Sequence, residues 1–244
     1  MRRHLMLLNV SAIHDQNSRY LEHSKQAQEN LEMASSCIDT ISDFARIEGF
    51  SREDDVAILR LGIRVLNDAG AAASCAHSGY YQPALSMIRD IVEVSFLLDL
   101  FQRQPERIAE WRTSSEADRK KKFKPVKIRE TLDALDGRQE NVRKAAYDFF
   151  SGHGTHIDPF MQLVSPDSLT MIGPFANEQI VIGFTFDLTR WLLLATGFFL
   201  KAIDISHIKD EGLRSSLTQK KINFTVQLAS ATARLNRAQI AGSD

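Results

Sequence analysis

The sequence predicts an all-α protein, a bundle of about five long helices with several short ones, built as a single domain over residues 1–244. Apolar residues recur at helical spacing along most of the chain. The composition, 43% hydrophobic and 25% charged, is typical of a folded soluble domain. The chain has no strand–helix alternation, no glycine-rich phosphate loop and no G-x-S-x-G motif. We expect residues 1–14 to form a flexible tail.

The first long segment carries a stripe of mostly apolar residues at alternating steps of four and three. Its members are Tyr20, Ser24, Ala27, Leu31, Ala34, Ile38, Ile41 and Ala45. This spacing is typical of an a/d seam on a long helix, which we expect Gly49 to end. The tetrapeptide "SRED" that starts at Ser51 resembles a capping box and predicts a second helix as far as Ser78.

Gly79 separates the second helix from a third, which we expect to begin near Tyr80 with Pro83 in its first turn. The segment "ALSMIRDIVEVSFLLDLF" is apolar on nearly every side, which predicts a central position in the bundle. Three shorter helices are predicted after it. They cover residues 105–112, 128–135 and 140–150.

Residues 152–177 are rich in glycine and proline, so we expect a long loop or an irregular hairpin there. The segments "MQLV" and "LTMI" flank a Ser-Pro-Asp-Ser turn and are predicted to pair as two short strands. A loop of this length inside a helical bundle is often functional.

Residues 178–205 are predicted to form a long buried helix. This is the segment most similar to a membrane span, but Asp187 and Arg190 stand in its middle, and charges are costly at a bilayer centre. We therefore expect no membrane association. The last helix, over residues 207–239, repeats the seam pattern, and Lys221 is the one residue that fits it poorly.

Charge and cysteine content favour a cytoplasmic protein. The net charge is −1, so the overall field of the molecule does not attract nucleic acid or anionic membranes. The two cysteines, Cys37 and Cys75, are too few for a disulfide framework. The mostly apolar run from Leu5 to Val10 follows two arginines, but it is shorter than the core of a signal peptide.

Arg89 and Glu93 are the first candidate site residues. Their spacing of four places them on one face of the third helix, among apolar neighbours. Buried charges of this kind need partners. They form either a structural ion pair or one wall of a polar cleft that also includes the histidine segment.

The segment "FFSGHGTHIDPF", residues 149–160, supplies His153 and His156. Imidazoles act as general bases, phosphate ligands or metal ligands. A metal-dependent enzyme would use both histidines with Asp158 or Glu93 as a third ligand. The alternative is that the histidines cap the preceding helix and anchor the loop. No complete metal-ligand set is recognisable, so we predict no metal or other cofactor.

A basic run, "RKKKFKPVKIR", covers residues 119–129, and seven of its eleven residues are Lys or Arg. Concentrated positive charge can neutralise phosphates, and Phe123 could stack on a base. The alternative is a solvated joint between helices. The predicted nucleic-acid contacts are Lys120, Lys121, Lys122 and Lys124.

Two stretches, "SGYYQPALSMIRDIVEVSFLLDLF" and "YDFFSGHGTHIDP", resemble an uncharacterised group of bacterial helical proteins that are similar to HEPN domains. HEPN domains are helical bundles of prokaryotic defence and RNA-cleaving systems. In that group an R-x-x-x-E helix is followed by a Ser and then a His, and Tyr147, Ser151 and His156 match that segment here. The resemblance covers roughly residues 78–160, under half of the chain.

HEPN ribonucleases also share an Arg followed a few residues later by a His on one helix, and this chain departs from that pattern. Arg143 and His153 are ten positions apart. The resemblance therefore implies a reassembled set, with Arg89 binding phosphate, His156 or His153 acting as base and Glu93 orienting it.

Three functional hypotheses follow from the sequence. The first is an RNA-binding or RNA-cleaving protein of a bacterial defence or stress system, with a partner protein such as an antitoxin. The second is a non-catalytic homodimer that associates through its seam-bearing terminal helices. The third is the metal-dependent enzyme described above.

Overall fold

The computed structural model describes residues 10–137, 141–156 and 173–241, with side chains described to residue 231, and it confirms the all-α prediction. The described residues form ten helices. They are α1 (Val10–His23), α2 (Lys25–Ala45), α3 (Glu53–His77), α4 (Tyr81–Arg103), α5 (Glu106–Thr113), α6 (Glu116–Lys122), α7 (Pro125–Asp136), α8 (Val142–Gly154), α9 (Glu178–Ala202) and α10 (Glu211–Ala241).

Helices α4 and α9 pack against each other at the centre of the bundle. Helix α3 packs on both, α2 lies on α9, and α8 lies on α4. The central position of α4 follows from its apolar circumference, as predicted. Helix α9 is the described helix long and apolar enough to cross a membrane, but 61% of its most apolar window is buried inside the bundle. This burial is typical of a core helix in a soluble protein.

The two predicted seams pack within the chain. Ala27, Ala34 and Ile41 of α2 are buried, and α2 packs on α9. The buried residues of the α10 seam are Leu217, Phe224 and Ala231. Dimerisation through the seams themselves would compete with these core contacts.

Several predicted helix ends are wrong, because local hydrogen bonds decide them. The first segment is two helices, since the Ser24 hydroxyl accepts from the Ala27 N–H and caps α2. Residues 10–14 belong to α1 rather than to a tail. Helix α3 begins after Arg52 with no side-chain cap, so the predicted capping box at Ser51 is absent. The predicted strand segments "MQLV" and "LTMI" lie outside the described residues.

Candidate functional site

A glycine contact fixes α8 against α4. A Cβ atom on Gly154 would lie 2.8 Å from the Ser86 backbone nitrogen and 2.9 Å from the Leu85 carbonyl carbon. The Ser86 hydroxyl also donates to the Gly154 carbonyl oxygen at 2.5 Å. Only glycine permits this approach, which places the end of α8 beside the middle of α4.

Arg89 is the centre of a polar cluster between these two helices. Its Nε donates to Ser151 Oγ at 3.0 Å, and its Nη2 donates to the Tyr147 hydroxyl at 2.7 Å. Nη2 also lies 2.5 Å from Glu93 Oε1, so the ion pair suggested by the spacing of four is present. Tyr147 and Ser151 are themselves four apart and face α4 together.

The basic run contributes one residue to this cluster. The Arg129 guanidinium carbon lies 4.2 Å from the centre of the Tyr147 ring, and Arg129 is 8% exposed. Its Nη1 atom is buried without a hydrogen-bond partner among the described residues. We call Arg89, Glu93, Arg129, Tyr147 and Ser151 the arginine–tyrosine cluster.

The arginine–tyrosine cluster raises the pKa of both Arg89 and Glu93. Burial opposes the charge of Arg89, but its hydrogen bond to Tyr147 and the charge of Glu93 outweigh burial and raise the Arg89 pKa. Burial raises the pKa of Glu93, although Arg89 and a hydrogen bond from Tyr147 act in the opposite direction. Arg89 therefore stays positive, and Glu93 is a stronger base than an exposed glutamate.

The structure does not bring His153 into the described contacts of the arginine–tyrosine cluster. Helix α8 continues to Gly154, so His153 stands two positions past Ser151, on the opposite face. Its Nδ1 lies 2.8 Å from the Phe149 carbonyl oxygen, and its ring centre is 4.6 Å from that of the half-exposed Phe149.

His156 lies just beyond α8 and has an exposed side chain. Its backbone N–H donates to the Ser151 carbonyl oxygen at 2.8 Å, so its backbone is attached to a residue of the cluster. The predicted convergence of both imidazoles with Arg89 inside the bundle is therefore not observed, because His156 stands at the surface.

The basic run forms helix α6 and the start of α7. Lys120, Lys121, Lys122 and Lys124 are all exposed. Lys120 pairs with Glu116 at 2.6 Å and Lys122 with Glu110 at 3.0 Å. The predicted stacking of Phe123 on a base is wrong, because this ring is buried. It packs on the Phe101 ring and lies beneath the guanidinium of Arg107, at 4.8 Å.

Within the described ranges, no group of three or more His, Cys, Asp or Glu side chains is placed to hold a metal ion. Asp158, one of the two suggested third ligands, lies outside these ranges. The other, Glu93, is paired with Arg89.

A second acidic group lies at the α3–α4 interface, and no sequence motif marks it. Asp90 accepts two hydrogen bonds from Arg64, at 2.5 and 2.8 Å. Burial, together with a hydrogen bond to Asp90, raises the pKa of Asp68 to about 7. The spacing of four between Arg64 and Asp68 predicts only that these two side chains share a helix face. Their partner Asp90 lies on α4, and no local sequence pattern predicts that contact.

A third polar group surrounds a cavity between the start of α3 and the α9–α10 turn. Asp55 is 3% exposed and lies beside His207, and Lys221 also lines the cavity. The poor fit of Lys221 to the seam was the only sequence signal for this site.

The fold and these sites together define an all-α bundle with a partly buried arginine–tyrosine cluster against its central helix. No protein family, curated protein or solved structure matches the chain.

Proposed function

We propose that this protein is a HEPN-like RNA-binding protein whose arginine–tyrosine cluster and exposed lysines contact the RNA backbone. The observation that carries the proposal is the position of Arg129. Arg129 belongs to the basic run, yet its guanidinium lies on the Tyr147 ring whose hydroxyl accepts a hydrogen bond from Arg89. The Arg89 site and the basic run, which the sequence suggested separately, therefore meet at Tyr147.

Unsatisfied donors support phosphate binding in this region. Buried polar atoms in proteins normally have partners, and Arg129 Nη1 has none among the described residues. Within the same ranges, no carboxylate lies within ion-pair distance of the exposed Lys121 or Lys124. Guanidinium and ammonium groups of this kind neutralise backbone phosphates and release counterions.

Cleavage is the further step of the same proposal. A base removes the proton of a ribose 2′-hydroxyl, whose oxygen attacks the adjacent phosphorus. The P–O5′ bond then breaks, and the leaving O5′ takes a proton from the protonated base or from water, which gives a 2′,3′-cyclic phosphate and a free 5′-hydroxyl. Such a reaction needs a base and a cation near the phosphate. His156 is the proposed base, since it is exposed and its backbone contacts Ser151, while Arg89 provides the cation. Because the His156 ring stands at the surface outside the cluster, the proposal requires this ring to move toward Arg89 when RNA binds.

The binding test measures the affinity of the full-length protein for a labelled single-stranded RNA by fluorescence anisotropy at several salt concentrations. The double variant Lys121→Glu/Lys124→Glu should bind about tenfold more weakly, with a salt slope lower by about 1–2. The matched control is Lys25→Glu/Lys209→Glu, which reverses two exposed charges elsewhere. Equal affinities for the two double variants, or no binding by the wild type, would overturn the proposal.

The cleavage test follows the same RNA by gel electrophoresis. His156→Ala should lose at least about a hundredfold in rate, the lower range for removal of a general base. His153→Ala should retain activity, because its ring faces away from Arg89. If the wild type binds RNA without cleaving it, only the binding part of the proposal stands. A bacterial defence or stress role with an antitoxin-like partner extends this proposal.

A homo-oligomeric interaction protein is the second proposal. Helix α10 exposes Ile222 and Val226, four apart on its outer face, at 51% and 65%. Such a pair can contact a second copy of the chain. Light scattering should give a dimer mass for the wild type and a monomer mass for Val226→Asp. A wild-type monomer at all concentrations would exclude this proposal.

A further inference from the structure

A cavity of about 930 Å³ lies where the start of α3, the end of α9 and the first half of α10 meet. It is separate from the arginine–tyrosine cluster and plays no part in the proposed function. The ionisable side chains that line it are Arg52, Asp54, Asp55, Lys201, Asp204 and Lys221, with Glu211 and Arg214.

Most of the charges in this cavity are already paired. Asp204 accepts from Arg52 at 2.6 Å, and its hydrogen bond from the Ser206 backbone, together with Arg52, holds its pKa at about 2. Asp54 pairs with Arg112 at 3.0 Å. Arg52 also lies 3.6 Å from Asp55, and Arg214 lies 3.4 Å from Glu211.

Two ammonium groups remain without a carboxylate. Lys201 and Lys221 line the cavity, and within the described part of the chain neither has a carboxylate oxygen within ion-pair distance. Lys221 Nζ donates one hydrogen bond, to the Ile203 carbonyl oxygen at 2.7 Å. An ammonium group has three N–H donors, so this bond leaves two of them available.

Asp55 and His207 retain unused hydrogen-bonding capacity. Asp55 Oδ2 lies 3.2 Å from His207 Nε2 and 3.6 Å from Arg52 Nε, yet neither contact has the geometry of a hydrogen bond. Asp55 Oδ2 and His207 Nε2 are thus buried without a hydrogen-bond partner among the described residues. Orphaned buried polar atoms are uncommon in folded proteins. A ligand hydroxyl that donates to Asp55 would satisfy the carboxylate.

We propose that this cavity binds a small hydroxylated oxyanion. The phosphate or carboxylate of the ligand contacts Lys221 and Lys201, and its hydroxyl donates to Asp55. The class includes hydroxy acids and phosphorylated polyols. Charge-assisted hydrogen bonds to the lysines supply the affinity, and the Asp55 contact supplies the preference for a hydroxylated molecule.

Isothermal titration of the full-length protein with inorganic phosphate, glycerol phosphate and lactate tests this site. We expect saturable binding of glycerol phosphate or lactate with a Kd on the order of 1 mM or tighter. Lys221→Met should weaken binding at least about tenfold, the loss of one charge-assisted contact. Lys220→Met is the matched control, because Lys220 pairs with Asp43 across a different groove.

Two further variants keep the proposal falsifiable if Lys221→Met fails to fold. Lys201→Met changes an exposed residue and should also weaken binding of all probes that bind. Asp55→Asn should weaken glycerol phosphate more than inorganic phosphate. The proposal is overturned if none of the three probes binds saturably, or if the Lys201 and Lys221 variants bind as tightly as the wild type.

Discussion

The Arg129 guanidinium lies 4.2 Å from the centre of the Tyr147 ring, and the hydroxyl of the same tyrosine accepts a hydrogen bond from Arg89. Tyr147 therefore contacts an arginine from α7 through its ring and an arginine from α4 through its oxygen. Helices α4, α7 and α8 are joined at this residue, which makes it the most informative position in the cluster to change.

Tyr147→Phe should destabilise the protein by about 1–2 kcal/mol. The substitution keeps the ring beneath Arg129 but removes the acceptor for the partly buried Arg89. Tyr20→Phe is the control, because the Tyr20 hydroxyl accepts an exposed hydrogen bond from Gln16 and should cost under about 0.5 kcal/mol. Urea denaturation measures both, and equal losses would contradict a structural role for the Tyr147 hydroxyl.

Gly154→Ala should destabilise the protein by about 2–3 kcal/mol, because the added Cβ would meet the α4 backbone at Ser86 and Leu85. Gly152 lies on the same helix, and a Cβ added there would have no neighbouring atom within 4 Å. Gly152→Ala should therefore be neutral or stabilising by up to about 1 kcal/mol. Thermal unfolding of the two variants distinguishes them. A Gly154 variant as stable as the wild type would show that α8 shifts at little cost.

Asp68 should make stability fall as pH rises. The folded state holds its proton up to about pH 7, whereas the unfolded state releases it near 3.8. The stability that this group contributes is thus fully present below pH 3.8 and is lost as pH rises through about 7. Asp68→Asn keeps a donor to Asp90 without the charge.

The Asp68→Asn variant should exceed the wild type by more at pH 8 than at pH 5, and the difference between the two proteins should grow by about 1–3 kcal/mol from the lower pH to the higher. Urea denaturation at the two pH values measures the difference. Asp39→Asn, at an exposed carboxylate of α2, serves as the control and should change neither value by more than about 0.5 kcal/mol. A constant difference between the Asp68 variant and the wild type at both pH values would refute the assignment.

Asp99→Ala should cost about 1.5–3 kcal/mol, the range for a hydrogen bond to a charged group. Asp99 is 1% exposed and pairs with Arg103 at 2.8 Å and Arg143 at 3.4 Å, and after its removal Asp136 remains as the carboxylate that both guanidinium groups share. Asp148→Ala removes an exposed partner of Lys144 and should cost under about 0.5 kcal/mol. Chemical denaturation compares them, and a loss below about 1 kcal/mol for Asp99→Ala would contradict the prediction.

The helices and the Arg89–Glu93 pair could be predicted from the sequence, because both depend on contacts three or four residues apart. The partners Tyr147 and Arg129 could not be assigned in the same way, because 58 positions separate Arg89 from Tyr147 and helix packing alone brings them together. Local spacing specifies which residues share a helix face. It does not specify which helix that face meets.

The side chains of Phe123 and His153 lie elsewhere than the sequence predicted, for a common reason. The basic run reads as a site for base stacking or a solvated joint, but residues 116–122 form a helix, and the chain after it directs Phe123 into the core. The sequence predicts that the helix before the histidine segment ends at residue 150, but α8 continues to Gly154 and rotates His153 away from α4. In both cases additional helical residues change the direction of a side chain.

The Arg52–Asp204 ion pair has a dynamic consequence, because it joins the residue before α3 to the turn before α10. Lys221 adds a second attachment at the Ile203 carbonyl. These two contacts attach the first half of α10 to the rest of the bundle. Amide hydrogens in the first turns of α10 should therefore exchange slowly with solvent deuterium. Protection should decline toward Ala241, and occupancy of the cavity by an oxyanion would slow exchange at the fastened end first.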